Sequence, residues 1–155
     1  MSLYHLMYVS RAVDAISDRD LRQIQDAALR RNREQDVTGV LLYSSGYFIQ
    51  LLEGPLDSVT NLFERLAQDP RHDGLERIYL EEVSGRLFSE WSMGVFNLDE
   101  HATTLHIEEL RECMARNSQD TDSDRYARIL HTFNQFRSQL GPSNQKAAFI
   151  GELLQ

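Results

Sequence analysis

The sequence predicts an α+β fold of ferredoxin-like plan, a βαββαββ sheet with two helices on one face, followed by C-terminal helices. Three observations lead there. Short stretches alternate apolar and polar residues at the period of a strand, two longer stretches repeat apolar residues at helical spacing, and they follow one another as strand, helix, strand, strand, helix, strand, strand.

Leu3 to Ser10 sends Tyr4, Leu6 and Tyr8 to one side of a strand and Leu3, His5 and Met7 to the other. Apolar groups on both sides indicate an interior strand. Ser17 is placed to cap a helix in which Leu21, Ile24 and Ala28 recur on one stripe, with Arg31 and Asn32 continuing it. Val37 to Tyr43 and Tyr47 to Glu53 flank the turn Ser44-Ser45-Gly46 and read as a hairpin, with Phe48, Gln50 and Leu52 sharing a face. Pro55 suits a first helical turn, and Val59, Leu62, Phe63 and Leu66 form the second helical stripe.

After the loop Asp69 to Gly74, Leu75 to Val83 and Phe88 to Phe96 read as two strands about a Ser84-Gly85 turn, the last with Trp91, Met93 and Val95 on one face. From Thr103 the pattern becomes helical: Leu105 to Ala115, then Asp124 to Leu140 with Tyr126, Ile129, Leu130, Phe133 and Leu140 on one stripe, then Ser143 to Leu154. Residues 1–98 are thus expected to form one domain and residues 99–155 a helical extension that caps the free sheet face, carries output or mediates self-association.

Charge and composition narrow the function. A net charge of −8 with no basic stripe argues against nucleic acid as a partner. No apolar run approaches the roughly 18 residues that span a bilayer, and Met1 to Val9 lacks the parts of a signal peptide, so a cytoplasmic, membrane-free protein is expected. Cys113 is the single cysteine, which leaves no internal disulfide and no multi-cysteine metal site. Of the 16 basic residues only Lys146 is a lysine, so the positive charge resides in guanidinium groups suited to phosphate or carboxylate.

Three polar residues fall on core-facing positions. Gln50 lies between Phe48 and Leu52 and must aim its amide into an apolar layer, where an unpartnered amide costs roughly 1–3 kcal/mol. Either backbone groups satisfy it, or it bridges a phenol such as Tyr8 to a heteroaromatic ring, since an amide both donates and accepts. Asn32 is either a polar residue at a helix end or a partner for an imide edge. Tyr8 alone is compatible with an ordinary core tyrosine.

Taken together, Leu3-Tyr4-His5-Leu6-Met7-Tyr8-Val9-Ser10, Arg31-Asn32 ahead of Thr38-Gly39-Val40-Leu41, Phe48-Ile49-Gln50-Leu51-Leu52-Glu53-Gly54, Asp69-Pro70-Arg71-His72 and Phe88-Ser89-Glu90-Trp91-Ser92-Met93 resemble the BLUF family, sensors of blue light using flavin adenine dinucleotide. The resemblance covers about residues 1–98 and rests on five ordered matches rather than one short motif. It implies non-covalent binding of flavin adenine dinucleotide (FAD), with the mononucleotide (FMN) as the alternative. Asn32 and Gln50 would bind the isoalloxazine ring between the helices, Ile24 and Leu66 would pack on its faces, and Arg31, Arg65 and Arg71 would lie toward the ribityl and phosphate end; Asp69 and His72 complete the expected cofactor-binding set, His72 either near the phosphates or at the loop surface.

The same resemblance makes Tyr8 and Gln50 the photoactive pair. Tyr8 would supply an electron and a proton through Gln50, leaving the amide rotated or tautomerised and the absorption shifted to the red. Trp91 and Met93 would carry the change to the last strand and to a separate signalling protein, with self-association of the chain also expected. Several family members carry a serine where this chain has Ala28, which favours Met93 over Trp91 as the neighbour of Gln50. The chain is then not an enzyme. The rival readings are a small flavin-dependent or acyl-phosphate-processing enzyme, for which no nicotinamide site or base-nucleophile spacing is visible, and a ligand-free interaction module.

Overall fold

The structure, a computed structural model, describes residues 2–44, 46–89, 92–97, 121 and 123–131. The predicted order of elements is found: β1 Leu3–Ala12, α1 Asp18–Glu34, β2 Thr38–Ser44, β3 Tyr47–Gly54, α2 Leu56–Leu66, β4 His72–Val83 and β5 Gly94–Asn97. They form one sheet in the order β4-β1-β3-β2-β5, antiparallel throughout except that β5 runs parallel to β2.

Local sequence explains each boundary that matters to the site. Ser17 and Asp20 form a reciprocal capping box at the start of α1, the Asp20 amide donating to Ser17 Oγ at 3.2 Å and the Ser17 amide to Asp20 Oδ2 at 3.0 Å. Past the C-cap of α1, Asp36 takes a left-handed φ of 58° and turns the chain into β2. Gly39 is required where β2 meets β3, because a Cβ there would collide with the Leu51 carbonyl oxygen.

Both sheet faces are apolar and both are covered. On the front, Leu6 and Tyr8 of β1, Leu41 of β2, Phe48 and Leu52 of β3 and Val95 of β5 pack with Leu21 and Ala28 of α1 and with Val59 and Leu62 of α2. On the back, Met7, Val9, Val40, Leu42, Ile49, Leu51 and Phe96 pack with Ile129 of a helical segment at residues 123–131, and Tyr126 and Leu130 border this layer. β1, flanked by β4 and β3, is the interior strand its two-sided apolar pattern requires.

A buried polar cluster ties the back face together. Glu53 and His5 are opposite partners on β3 and β1, and the Glu53 carboxylate accepts from His5 Nε2 at 2.7 Å. It also accepts from the Leu87 amide at 2.7 Å, the Phe88 amide at 2.9 Å and the Thr38 hydroxyl at 3.0 Å. A carboxylate only accepts, so the imidazole proton sits on Nε2 and Nδ1 is left to accept from the Tyr126 hydroxyl at 2.6 Å. Tyr126 in turn stacks on Tyr79 of β4, ring centroids 3.6 Å apart. Burial pushes the Glu53 carboxyl up, but His5 and the two amides more than offset it and hold it below the ordinary glutamate range.

Three features differ from expectation. β1 continues to Ala12 and β4 begins at His72, because Arg11 pairs with Asp73 and Ala12 with His72 beyond two register shifts. The last strand is only Gly94–Asn97 rather than Phe88 to Phe96, and it lies at the sheet edge opposite β4 instead of pairing with it. The reason is that the backbone before β5 bonds to side chains in place of a ladder. Glu53 takes the Leu87 and Phe88 amides, while Asn32 and Gln25 donate to the Ser92 and Met93 carbonyls. The expected helices at 105–115 and 143–154, most of 124–140, and Trp91 lie outside the described residues.

A cleft between the helices as the candidate functional site

Where α1, α2 and the front of the sheet meet, a narrow cleft opens to solvent. Tyr8, Leu41, Phe48 and Gln50 of the sheet, Ile24, Ala28 and Arg31 of α1, Leu66 at the end of α2, and Asp69, Arg71 and His72 are among its lining residues. Its walls are apolar near the sheet and charged at the mouth, the division expected of a site for a planar ring with an anionic tail.

Tyr8 and Gln50 face each other across β1 and β3 in register. The Tyr8 hydroxyl donates to Gln50 Oε1, and Gln50 Nε2 points to Met93 Sδ at 3.5 Å. Both residues are buried, at 2% and 4% exposure, so neither group can exchange its partner for bulk water. Burial, reinforced by the Asp69 carboxylate and opposed by Arg31, raises the Tyr8 phenol far above its ordinary value, so it carries its proton at any physiological pH.

Asn32 is wholly buried beside the cleft without lining it. Its Nδ2 donates to the Ser92 carbonyl at 2.7 Å, whereas its Oδ1 is buried with no hydrogen-bond partner, as is Arg31 Nε. Natural interiors seldom leave such atoms unpaired. An acceptor at Asn32 and a donor at Arg31, next to a cleft that already offers a Tyr8–Gln50 bridge, suit a ligand with an imide edge and an anionic or hydroxylated tail.

Toward the mouth, Asp69 grips Arg71 with Oδ1 and Oδ2 accepting from Nε at 3.0 and 3.1 Å and Oδ2 also from Nη2 at 2.5 Å. That ion pair lowers the Asp69 pKa and raises that of Arg71. His72 donates from Nε2 to the Leu66 carbonyl at 2.6 Å, which leaves Nδ1 to accept from Ser10 Oγ at 2.8 Å. Its ring lies edge-on to both Tyr8 and Phe48. Arg65 is exposed and does not line the cleft, although its charge helps to lower the Arg31 pKa, an effect led by burial. Met93 lies behind Gln50 rather than in the cleft wall.

The structure also brings in residues that sequence reasoning passed over. Leu41 is the direct partner of Gln50 across β2 and β3, which correct strand register could have shown. Ala27 follows Ile24 by one helical turn and belongs to the same rim. Gln25 and Ser10 carried no pattern, because what they bond, the Met93 carbonyl and His72, is distant in the chain.

The fold and cleft thus define a small α+β ligand-binding domain with a hydrogen-bonded phenol and amide in the cleft wall. The chain belongs to the BLUF family, the sensors of blue light using FAD, whose model matches residues 3–94. It is 42% identical over 93 residues to the photoactivated adenylate cyclase subunit beta of Euglena gracilis, a match covering 59% of this chain and 11% of that one. It is 30% identical over 128 residues to the blue light- and temperature-regulated antirepressor BluF of Escherichia coli K12, covering 83% and 32%. The chain therefore spans only a minor part of these curated relatives. Among solved structures, the dark state of the BLUF protein BlrB superposes with a TM-score of 0.74 at 29% identity, covering 87% of this chain and 97% of that one. This protein is accordingly a blue-light sensor of a flavin-binding family, and no helix among its described residues is long and apolar enough to cross a membrane.

Proposed function

We propose that this chain holds FAD without a covalent bond in the cleft between α1 and α2, reads its excitation through Tyr8 and Gln50, and signals through Met93 and Trp91 to a separate protein. The observation that carries the proposal is the continuous contact Tyr8–Gln50–Met93, which joins a cleft-lining phenol to the segment entering β5.

The residues divide the work by chemistry. Asn32 Oδ1 and the Gln50 amide would meet the polar edge of the ring, Ile24 and Leu66 its faces, and Arg31, Arg71 and His72 the tail, with Asp69 holding Arg71 in place and Arg65 adding positive charge outside. When bound, the flavin supplies absorption of blue light and an excited state that takes up an electron. Tyr8 is the donor, because its phenol is oxidisable, keeps its proton in the dark and already delivers that proton to Gln50 Oε1.

As the electron and proton return to Tyr8, so that no net redox change remains, Gln50 is left with the roles of its two ends exchanged. An amide whose oxygen accepts from Tyr8 and whose nitrogen faces the Met93 thioether cannot turn over, or change tautomer, without changing what Met93 touches. A conformational equilibrium is shifted only by such differential contacts. Residues 99–155 would serve as the output and self-association element. The cyclase and antirepressor activities named for the relatives are not assigned to this chain.

The test is a light-minus-dark absorption spectrum of the purified protein together with identification of the released pigment. A yellow protein releasing FAD and showing a reversible red shift supports the proposal. A colourless protein, or a yellow one with no spectral change, refutes it.

A further inference from the structure

Beyond the Tyr8–Gln50 pair, the segment that carries Met93 is held by two side-chain amides of α1. Gln25 Nε2 donates to the Met93 carbonyl at 2.9 Å, and Asn32 Nδ2 to the Ser92 carbonyl at 2.7 Å. Gln25, Ala28 and Asn32 stand at i, i+3 and i+7, so one stripe of α1 presents both amides to the same piece of chain with a small residue between them.

β5 is a four-residue edge strand whose neighbour in the sheet is β2, and its ladder begins at Val40↔Gly94, one residue after Met93. The Ser92 and Met93 carbonyls thus precede the ladder and bond to α1 instead. Met93 Sδ then falls 3.5 Å from Gln50 Nε2. Neither amide lines the cleft, but Asn32 keeps a buried oxygen without a hydrogen-bond partner, whereas the Gln25 amide bonds to the Met93 carbonyl. Gln25 therefore reaches the photoactive pair through Met93.

We infer that Gln25 is a positioning residue of the photoresponse: by holding the Met93 carbonyl it sets the distance between the Met93 thioether and the Gln50 amide. This rests on the Tyr8–Gln50 mechanism proposed above. Losing the bond frees the backbone at residue 93, so recovery of the dark arrangement must also find the thioether's place again. The removal of one hydrogen bond of this kind slows that step roughly two- to tenfold.

The experiment compares wild type, Gln25→Leu and Gln25→Glu in the flavin-loaded protein. Glutamate keeps the shape of glutamine, yet as a carboxylate it cannot donate to a carbonyl, so it separates donation from packing and serves as the second variant if leucine impairs folding. Two signals are read: the dark-recovery rate after a blue flash, and the dark-state resonance of the Met93 methyl group, labelled with carbon-13 and assigned through Met93→Leu. Both variants should stay yellow, move the methyl resonance and slow recovery, and the slowing should vanish in a Met93→Leu background. Wild-type resonance and recovery in both variants would overturn the role of Gln25, as would slowing that persists undiminished without Met93, or loss of pigment in both. A wild-type chain with no light-induced red shift would instead overturn the underlying mechanism.

Discussion

Replacing Glu53 by alanine asks how strongly the back face depends on one carboxylate. The side chain is fully buried and accepts from His5, Thr38 and the Leu87 and Phe88 amides, so Glu53→Ala strands a buried imidazole N–H and two backbone donors around a small void. A buried donor left unsatisfied costs about 1–3 kcal/mol, so three of them with partial relaxation cost about 3–5 kcal/mol, a large part of the roughly 5–15 kcal/mol that stabilises a domain. For a chain of this size that corresponds to a fall of about 6–20 °C in Tm. Urea unfolding followed by circular dichroism measures the difference directly. The pH dependence has a definite sign. Folding holds the Glu53 pKa below its unfolded value, so in the interval between the two the unfolded chain binds more protons. The wild-type advantage is complete above the ordinary glutamate pKa and shrinks as pH falls through that value toward the depressed one. A neutral-pH difference below about 1 kcal/mol, or a gap that does not narrow in acid, would refute the account.

Other substitutions test the front face and the helix contact. Tyr8→Phe should remain yellow and lose the normal photocycle, since the ring still packs while the phenol proton and the easily removed electron are gone; flash absorption spectroscopy decides it. Gln50→Ala should keep its pigment and form no red-shifted state, so a full wild-type difference spectrum from this variant would count against the amide bridge. Tyr126→Phe removes the donor to His5 Nδ1 but keeps the stack on Tyr79, and should cost about 1 kcal/mol in urea unfolding with the absorption spectrum unchanged.

Much of this molecule was legible in its sequence, and what was not has a common cause. The two-sided apolar pattern of residues 3–10 marked an interior strand because β1 is buried on both faces, and Ser17 marked the start of α1 because capping is local. Gln50 and Asn32 stood out because an amide on an apolar stripe contradicts its surroundings. Residues 86–93 defeated the same logic. Phe88 on the back and Met93 and Val95 on the front alternate as a strand would, so the period alone could not show that the ladder with β2 begins only at Gly94. Residues 86–88 and 92–93 are held by Arg86 reaching the Asp36 and Glu53 carbonyls, by Glu53 taking two amides, and by Gln25 and Asn32 taking two carbonyls. Each of these bonds spans more than 30 residues, beyond what a local period can encode.

The way the sheet is built restricts where a rearrangement at Gln50 can travel. β1 and β3 pair without interruption from Tyr4↔Gly54 to Arg11↔Tyr47, carrying Tyr8 opposite Gln50 on the front and His5 opposite Glu53 on the back. A slip of one residue between these strands would send every front side chain to the back, exchanging a packed core for a mismatched one on both faces. The strands therefore cannot slide in response to a single amide. Residues 86–88 and 92–93 are less constrained, because among the described residues they are held by side-chain hydrogen bonds, each worth only about 1 kcal/mol. Met93 bears on Gln50, and Leu87 and Phe88 are fastened to the same Glu53 that binds His5 and, through it, Tyr126 of the 123–131 segment. The front cleft and the back helix thus both bear on the chain that precedes β5, while the ladder between them stays fixed.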